Sequence, residues 1–264
     1  MSTTTYIAHA SVFVQLRGSG NVLPLIQAIG DQYMTEHPDV GLPLQLGGSA
    51  RGYKSVLDGT TDIGMVSGAM SAAMTRTAHK QGQHVAMTPI ARDGLYAIVQ
   101  PSNAVRGLSL DQLANVFAGR ITDWSELGGA KGAINVYVLP PSNGTYESWV
   151  QLVLKDRWPI TLKAKIVFGS QIVSRVLADP QAIGFSSAAY ADGSGVGVLA
   201  IDGIAPDKAN FSSQRYPLLR DLTLVTRDKT RAEVAEFVRY CADAGKGQRI
   251  IASMGLVPIS GGKP

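Results

Sequence analysis

The chain has a single cysteine, Cys241, so no internal disulfide can form. It has four histidines, His9, His37, His79 and His84, and no two have the i, i+4 spacing of a helical zinc site. One thiol cannot make a thiolate cluster, so no metal set is expected. No apolar run reaches the roughly 20 residues of a membrane span. Lys and Arg are dispersed, without the basic block of a nucleic-acid arm, so no nucleic-acid partner is expected. The first residues, MSTTTYIAHASVFVQ, lack a charged segment followed by a long apolar one. They are not an intact signal peptide. Either the protein is cytoplasmic or a signal has been removed, and residues 1–11 are expected to be loosely attached.

Enzyme signatures are also missing. No Gly-Lys-Ser/Thr tripeptide completes a Walker A loop. After Gly18-Ser19-Gly20 the Rossmann fingerprint needs a glycine where Leu23 stands. The nearest approach to a nucleophile elbow, 47-GGSAR-51, ends in Arg51. Asp62 reads as a turn or helix-dipole partner ahead of a strand. No catalytic residue and no cofactor are expected. A hydrolase using a cleft Ser is the weakest reading, because no base accompanies any Ser.

What is present is a globular composition. Of 264 residues 45% are hydrophobic and 17% charged, which excludes a disordered chain and suits one large or two small domains. Net charge is +4, a mild bias towards anions. Strand-like runs alternate with helical ones, which favours an α/β architecture. Strands are expected at Val12–Leu16, Leu42–Leu46, Ile63–Val66, Ala97–Val99, Asn135–Val138, Lys165–Phe168, Ile183–Phe185, Gly197–Ala200 and Leu222–Thr226.

Helices are expected where apolar residues recur on one face. Val22, Leu25, Ile26, Ile29 and Tyr33 form such a stripe, with Pro24 in the opening turn and His37-Pro38 as the stop. In 109-SLDQLANVFAGR-120, Ser109 and Gln112 make a capping box and Gly119 ends the helix. Another helix starts near Thr145 and turns Tyr146, Trp149, Val150, Val153 and Leu154 to one side. Thr230 and Glu233 suggest a second capping box, ahead of a stripe that buries Cys241.

Four Gly-flanked, hydroxyl-bearing loops lie at strand ends ahead of helices: 18-GSGN-21, 47-GGSARG-52, 66-VSGAMS-71 and 142-SNGT-145. In parallel α/β sheets such loops share the ligand-binding edge. Helix N-termini offer free N–H groups and partial positive charge, and hydroxyls add directed donors. A dehydrated tetrahedral oxyanion needs this kind of cradle. Arg51 adds the nearest cation and is expected to face the cleft and pair with the anion.

The order of motifs resembles the phosphate-binding periplasmic receptor family (PstS-like). The similar pieces are 18-GSGNVLPL-25, 47-GGSARGYKSVLDGTTDIGMVS-67, 90-IARDGLYAIVQPSN-103, 108-LSLDQLANVFAGRITDWSELGG-129, 142-SNGTYESW-149, 181-QAIGFSS-187, 216-YPLLRDLTLVT-226 and 255-GLVPI-259. The resemblance implies a type II periplasmic-binding-protein fold: two α/β lobes joined by two crossover strands, with a ligand cleft between them. The first lobe would comprise 12–94 plus 220–264, the second 95–219. The implied ligand residues are Ser19, Gly20, Asn21, Val22, Ser49, Ala50, Arg51, Ser67, Asn143, Gly144 and Thr145. The implied function is a non-enzymatic receptor for phosphate or a related small oxyanion. It would work as a monomer, in the periplasm or outside the cell, and serve the membrane subunits of an ABC transporter.

The ligand loops depart from the family pattern. Ser67 stands where an Asp is often found, Leu139 where an Arg is often found, and Asn143 where the family has Ser. These departures leave open a diverged receptor-fold module that senses a ligand or binds a protein without transporting phosphate.

Overall fold

The computed structural model describes residues 11–155, 157–169 and 171–259. The expected loose N-terminal segment therefore lies almost wholly outside the described residues, as does His9. The principal strands are β1 (Leu16–Gly18), β2 (Leu44–Leu46), β3 (Ile63–Val66), β4 (Val85–Val99), β5 (Asn135–Val138), β6 (Lys165–Ile166), β7 (Ala182–Ser187) and β8 (Leu219–Arg227). They lie side by side in the order β2-β1-β3-β8-β4-β7-β5-β6. The chain has the type II periplasmic-binding fold of two α/β lobes.

Strand β4 links the two halves. Its Val85–Gly94 stretch pairs antiparallel with β8, and Leu95–Val99 pairs antiparallel with β7. On one flank β1 runs parallel to β2 and β3; on the other β5 runs parallel to β7 and β6. Only the last three residues of β4 are legible as a strand by pattern. Pro89, Arg92 and Asp93 interrupt the apolar run upstream, and pairing with β8 holds that part extended. The expected Val12–Leu16 strand is split into Val12–Phe13 and β1.

Helix α1 (Leu23–Glu36) forms as expected, with Leu25, Ile26, Ile29 and Tyr33 buried. Its stripe packs in an apolar core with Ile63, Leu222 and Phe237. Helix α2 (Gly48–Leu57) covers the same half, and α3 (Ala72–Lys80) follows β3. A separate core runs from Leu95 to Leu218. It holds Phe117 of α4 (Leu110–Phe117) and Trp149 of α5 (Gly144–Trp149). The Trp149 ring stacks on Phe185 at 4.6 Å between centroids. Helix α6 (Gln171–Ala178) packs on β7 from the same half.

The Ser109–Gln112 capping box is present in both directions. The Thr230–Glu233 box is not. That helix begins at Ala232, after Arg231, without a side-chain cap. Arg231 instead reaches away, to Asp62 at 3.0 Å and the Phe13 carbonyl at 2.8 Å. Asp62 also accepts the Gln15 N–H at 2.9 Å, so it ties the chain together ahead of β3. Cys241 is fully buried in the first core, and burial pushes its thiol pKa up. No helix of the described residues is long and apolar enough to cross a membrane.

Candidate functional site

The site grows from the ends of β1, β2, β3 and β5. Strand β1 ends at Gly18, whose φ of 150° and close approach to Met65 leave no space for a side chain. The Ser19 N–H then donates to the Met65 carbonyl at 2.7 Å. This bond lays Ser19 against the end of β3. Two residues beyond Met65 stands Ser67, and α2 brings Ser49 to the same point.

The three serine hydroxyls converge. Ser19 Oγ is 2.9 Å and Ser49 Oγ 3.4 Å from Ser67 Oγ. Ser49 Oγ also accepts the Ser67 N–H at 3.1 Å, and Ser19 Oγ accepts the Asn21 N–H at 3.2 Å. From the other lobe, Gly144 at the head of α5 closes on the group. A Cβ there would collide with Ser67 Oγ and lie 2.8 Å from Ser49 Oγ and 3.2 Å from Ser19 Oγ. Ser148, one turn on, places its hydroxyl 2.5 Å from the Ser67 carbonyl and 2.8 Å from the Gly144 carbonyl. All of these serines are buried.

Helix ends add positive potential. Neither α1 nor α2 has a side-chain cap or an acidic residue in its first turn. No carboxylate of the first turn offsets their N-terminal partial charges, and in α1 the Asn21, Val22 and Leu23 N–H groups donate to Ser19. In α5 the Asn143 Oδ1 accepts the Thr145 N–H at 2.8 Å, an Asx cap.

A full charge stands behind Thr145. Arg220, on β8, donates from Nη1 to Thr145 Oγ1 at 3.1 Å. Its Nε and Nη2 donate to Asp93 Oδ2 on β4 at 3.0 and 2.7 Å. The two side chains are only 4% and 3% exposed, so water screens the pair little. Desolvation pushes the Asp93 carboxyl above the ordinary aspartate range, and Arg220 works against it. Asp93 Oδ1 has no hydrogen-bond partner of normal geometry among the described residues.

Of the residues expected from sequence, Ser19, Ser49, Ser67 and Gly144 meet at the seam between the lobes. Gly20, Asn21, Asn143 and Thr145 line a cavity of about 610 Å³ that opens off it. Val22 is a core residue at the start of α1, and its N–H donates to the Ser19 carbonyl at 3.2 Å. Ala50 and Arg51 are exposed. The Arg51 stem lies over Gly47, where a Cβ would stand 2.6 Å from Arg51 Cδ.

The Asp93–Arg220 pair is absent from the sequence reading. A signal for it exists. Two Arg-Asp dipeptides, 92-RD-93 and 220-RD-221, each sit beside apolar strand runs. Antiparallel pairing matches each Arg to the other's Asp, and Arg92 Nε does lie 2.9 Å from Asp221 Oδ1 on the more exposed face.

Comparison with known proteins places this geometry in context. A family model described as the PBP superfamily domain matches residues 4–244. The Bacillus subtilis (strain 168) phosphate-binding protein PstS is 29% identical over 252 residues, 95% of this chain and 82% of that protein. The Borreliella burgdorferi phosphate-binding protein PstS is 23% identical, over 93% of this chain and 90% of its own length. Among solved structures, a substrate-binding protein from Clostridium perfringens with bound phosphate superimposes with a TM-score of 0.82 at 27% identity. That match covers 94% of this chain and 100% of the other. An ABC-type phosphate transport receptor from Vibrio cholerae has the same fold, with a TM-score of 0.82 at 24% identity, over 93% of this chain and 100% of its own.

Proposed function

We propose that this chain, which belongs to the PBP superfamily, is a non-enzymatic receptor for phosphate or a related small oxyanion. The observation that carries the proposal is the meeting of Ser19, Ser49 and Ser67 from one lobe with Gly144 from the other. Hydroxyl donors, the uncapped starts of α1 and α2, and the buried Arg220 behind Thr145 together favour negative charge. The proposed ligand shell is Ser19, Gly20, Asn21, the Val22 backbone, Ser49, Ala50, Ser67, Asn143, Gly144 and Thr145. Arg51 stands at the rim, and Arg220 is the principal cation.

The proposed lobes are 12–94 with 220–264, and 95–219. The two separate apolar cores support this division. The hydroxyls now bond to one another, so an anion enters only when the lobes part. Its oxygens replace the Ser–Ser bonds as they close, a hinge motion about β4 and β8. Delivery to the membrane subunits of an ABC transporter, from the periplasm or the cell exterior, is part of the proposed function. The names of the relatives, a phosphate-binding protein and a phosphate ABC transporter substrate-binding protein, support it.

Calorimetric titration tests the proposal. The protein is stripped of bound ligand by reversible unfolding and titrated with phosphate, sulfate, molybdate and tungstate at two pH values. Tight binding of one anion is expected. Silence towards all four at millimolar concentration would sink it. That outcome would favour a receptor-fold module with a sensing or protein-binding role, to which Ser67 and Leu139 already lend some support.

A further inference from the structure

The cavity beside the seam is far larger than a free oxyanion. A tetrahedral oxyanion fills roughly the space of two or three waters, about 60–90 Å³ at about 30 Å³ per water. The cavity is about 610 Å³. Sites for organic ligands typically measure about 300–1,000 Å³ and are mostly apolar with a few placed polar groups.

Asn21, Asn143 and Thr145, neighbours in the chain of the seam residues, and Ser186 and Ser187 supply the polar lining of the cavity. Leu46, Leu139, Ile172, Val173 and Tyr190 supply much of its apolar lining. Leu46 stands at the end of β2 and Tyr190 lies just beyond β7, so the two come from opposite lobes. They are 62% and 48% exposed, large apolar surfaces facing water inside a cleft. A bare inorganic anion at the seam leaves both wet. An organic group attached to that anion covers both as the lobes close, which is favourable.

We infer that the ligand is an oxyanion carrying an apolar organic group, a phosphate monoester or a phosphonate, with its PO3 head at the seam and its organic group between Leu46 and Tyr190. The inference rests on the anion-receptor reading above and narrows its ligand class.

The test is calorimetric titration of the full chain with inorganic phosphate, phenyl phosphate and phenylphosphonate. The same titrations are made on Leu46→Gln and Tyr190→Ser, both at exposed positions. At least one phenyl compound is expected to bind about tenfold or more tighter than inorganic phosphate, within the range that added apolar groups provide. That preference is expected to fall about threefold or more in each variant. Tight phenyl phosphate alone assigns the ester; tight phenylphosphonate alone assigns the phosphonate. If phosphate binds and both phenyl compounds bind no tighter, the inference is overturned and the anion-receptor reading stands. A phenyl preference that is unchanged in both variants overturns the proposed placement of the organic group. If none of the three binds, the inference is overturned, and the anion-receptor reading is decided by the titrations with sulfate, molybdate and tungstate.

Discussion

Arg220 stands directly opposite Asp93 in the antiparallel pairing of β8 with β4. Two of its nitrogens hold one carboxylate oxygen, and the third donates to Thr145 at the head of α5. A cation on the crossover between lobes thus reaches the proposed ligand loop of the second lobe. The register of the two strands decides this, since a one-residue slip of β8 would turn Arg220 to the opposite face from Asp93.

Arg220→Met leaves the Asp93 carboxylate buried and unpaired. Breaking such a pair typically costs about 3–5 kcal/mol. Adding Asp93→Leu removes the stranded charge, and apolar replacement of a whole buried pair is often neutral. The double variant is therefore expected to regain most of the stability in urea unfolding without regaining anion affinity. Wild-type affinity in the double variant would end the electrostatic role given to Arg220.

Gly144→Ala puts a methyl group into the seam, where Ser67, Ser49 and Ser19 leave no room. The lobes have separate cores, so the fold should survive. Anion affinity is expected to drop about tenfold or more, about 1.4 kcal/mol. An unchanged dissociation constant by calorimetry would show that the seam is not where the anion sits.

Arg51→Ala separates rim from interior. Arg51 is exposed, and exposed charges act weakly and are screened by salt. Affinity is expected to change less than about threefold at about 0.15 M salt, with a larger effect at low ionic strength. A loss beyond about tenfold in salt would make Arg51, and not Arg220, the principal cation.

Ser67→Asp places a carboxylate against Ser19 and Ser49. An ionised carboxylate repels a fully ionised oxyanion but accepts a hydrogen bond from a protonated one. Phosphate gains a proton as pH falls, so it should bind this variant better as pH is lowered from about 8 towards about 5. Sulfate affinity should be lost. Parallel pH profiles for variant and wild type would count against the placement of Ser67.

Glu36 supplies a pH test of the fold alone. Its carboxylate accepts bonds from Lys246 at 2.9 Å and Tyr240 at 2.7 Å, which join α1 to the C-terminal helices. Lys246 first, then Tyr240, lower its pKa from 4.5 to about 2. A folded-state pKa below the unfolded one stabilises the protein above the unfolded value and is lost as pH falls through the folded value. Glu36→Gln should therefore lower the thermal midpoint at pH 7, and the deficit should shrink between pH 4.5 and about 2. A deficit constant across that window would refute the assignment.

Much of this was readable before any coordinates. The stripe of α1, the Ser109–Gln112 box and the burial of Cys241 are local patterns, and local patterns survive tertiary packing. The Thr230–Glu233 box did not, because Arg231 is drawn to Asp62 and Phe13 across the molecule. The long strand β4 was legible only at its end, because Pro89, Arg92 and Asp93 break its pattern while β8 supplies the pairing. Ser19, Ser49, Ser67 and Gly144 were named from their loops, yet nothing in one loop states its distance from another.

The sequence by itself determined the alternation of strand and helix, the absence of metal and nucleotide motifs, and the small hydroxyl-rich loops at strand ends. Each follows from residue type and spacing within a few turns of chain. Only the tertiary structure decided that three serines and Gly144 meet, that Arg220 is the buried cation while Arg51 is exposed, and that an apolar cavity opens beside the seam. Those facts depend on strand register and on how two lobes approach. They are relations between residues 18 to 127 positions apart, which no local period encodes.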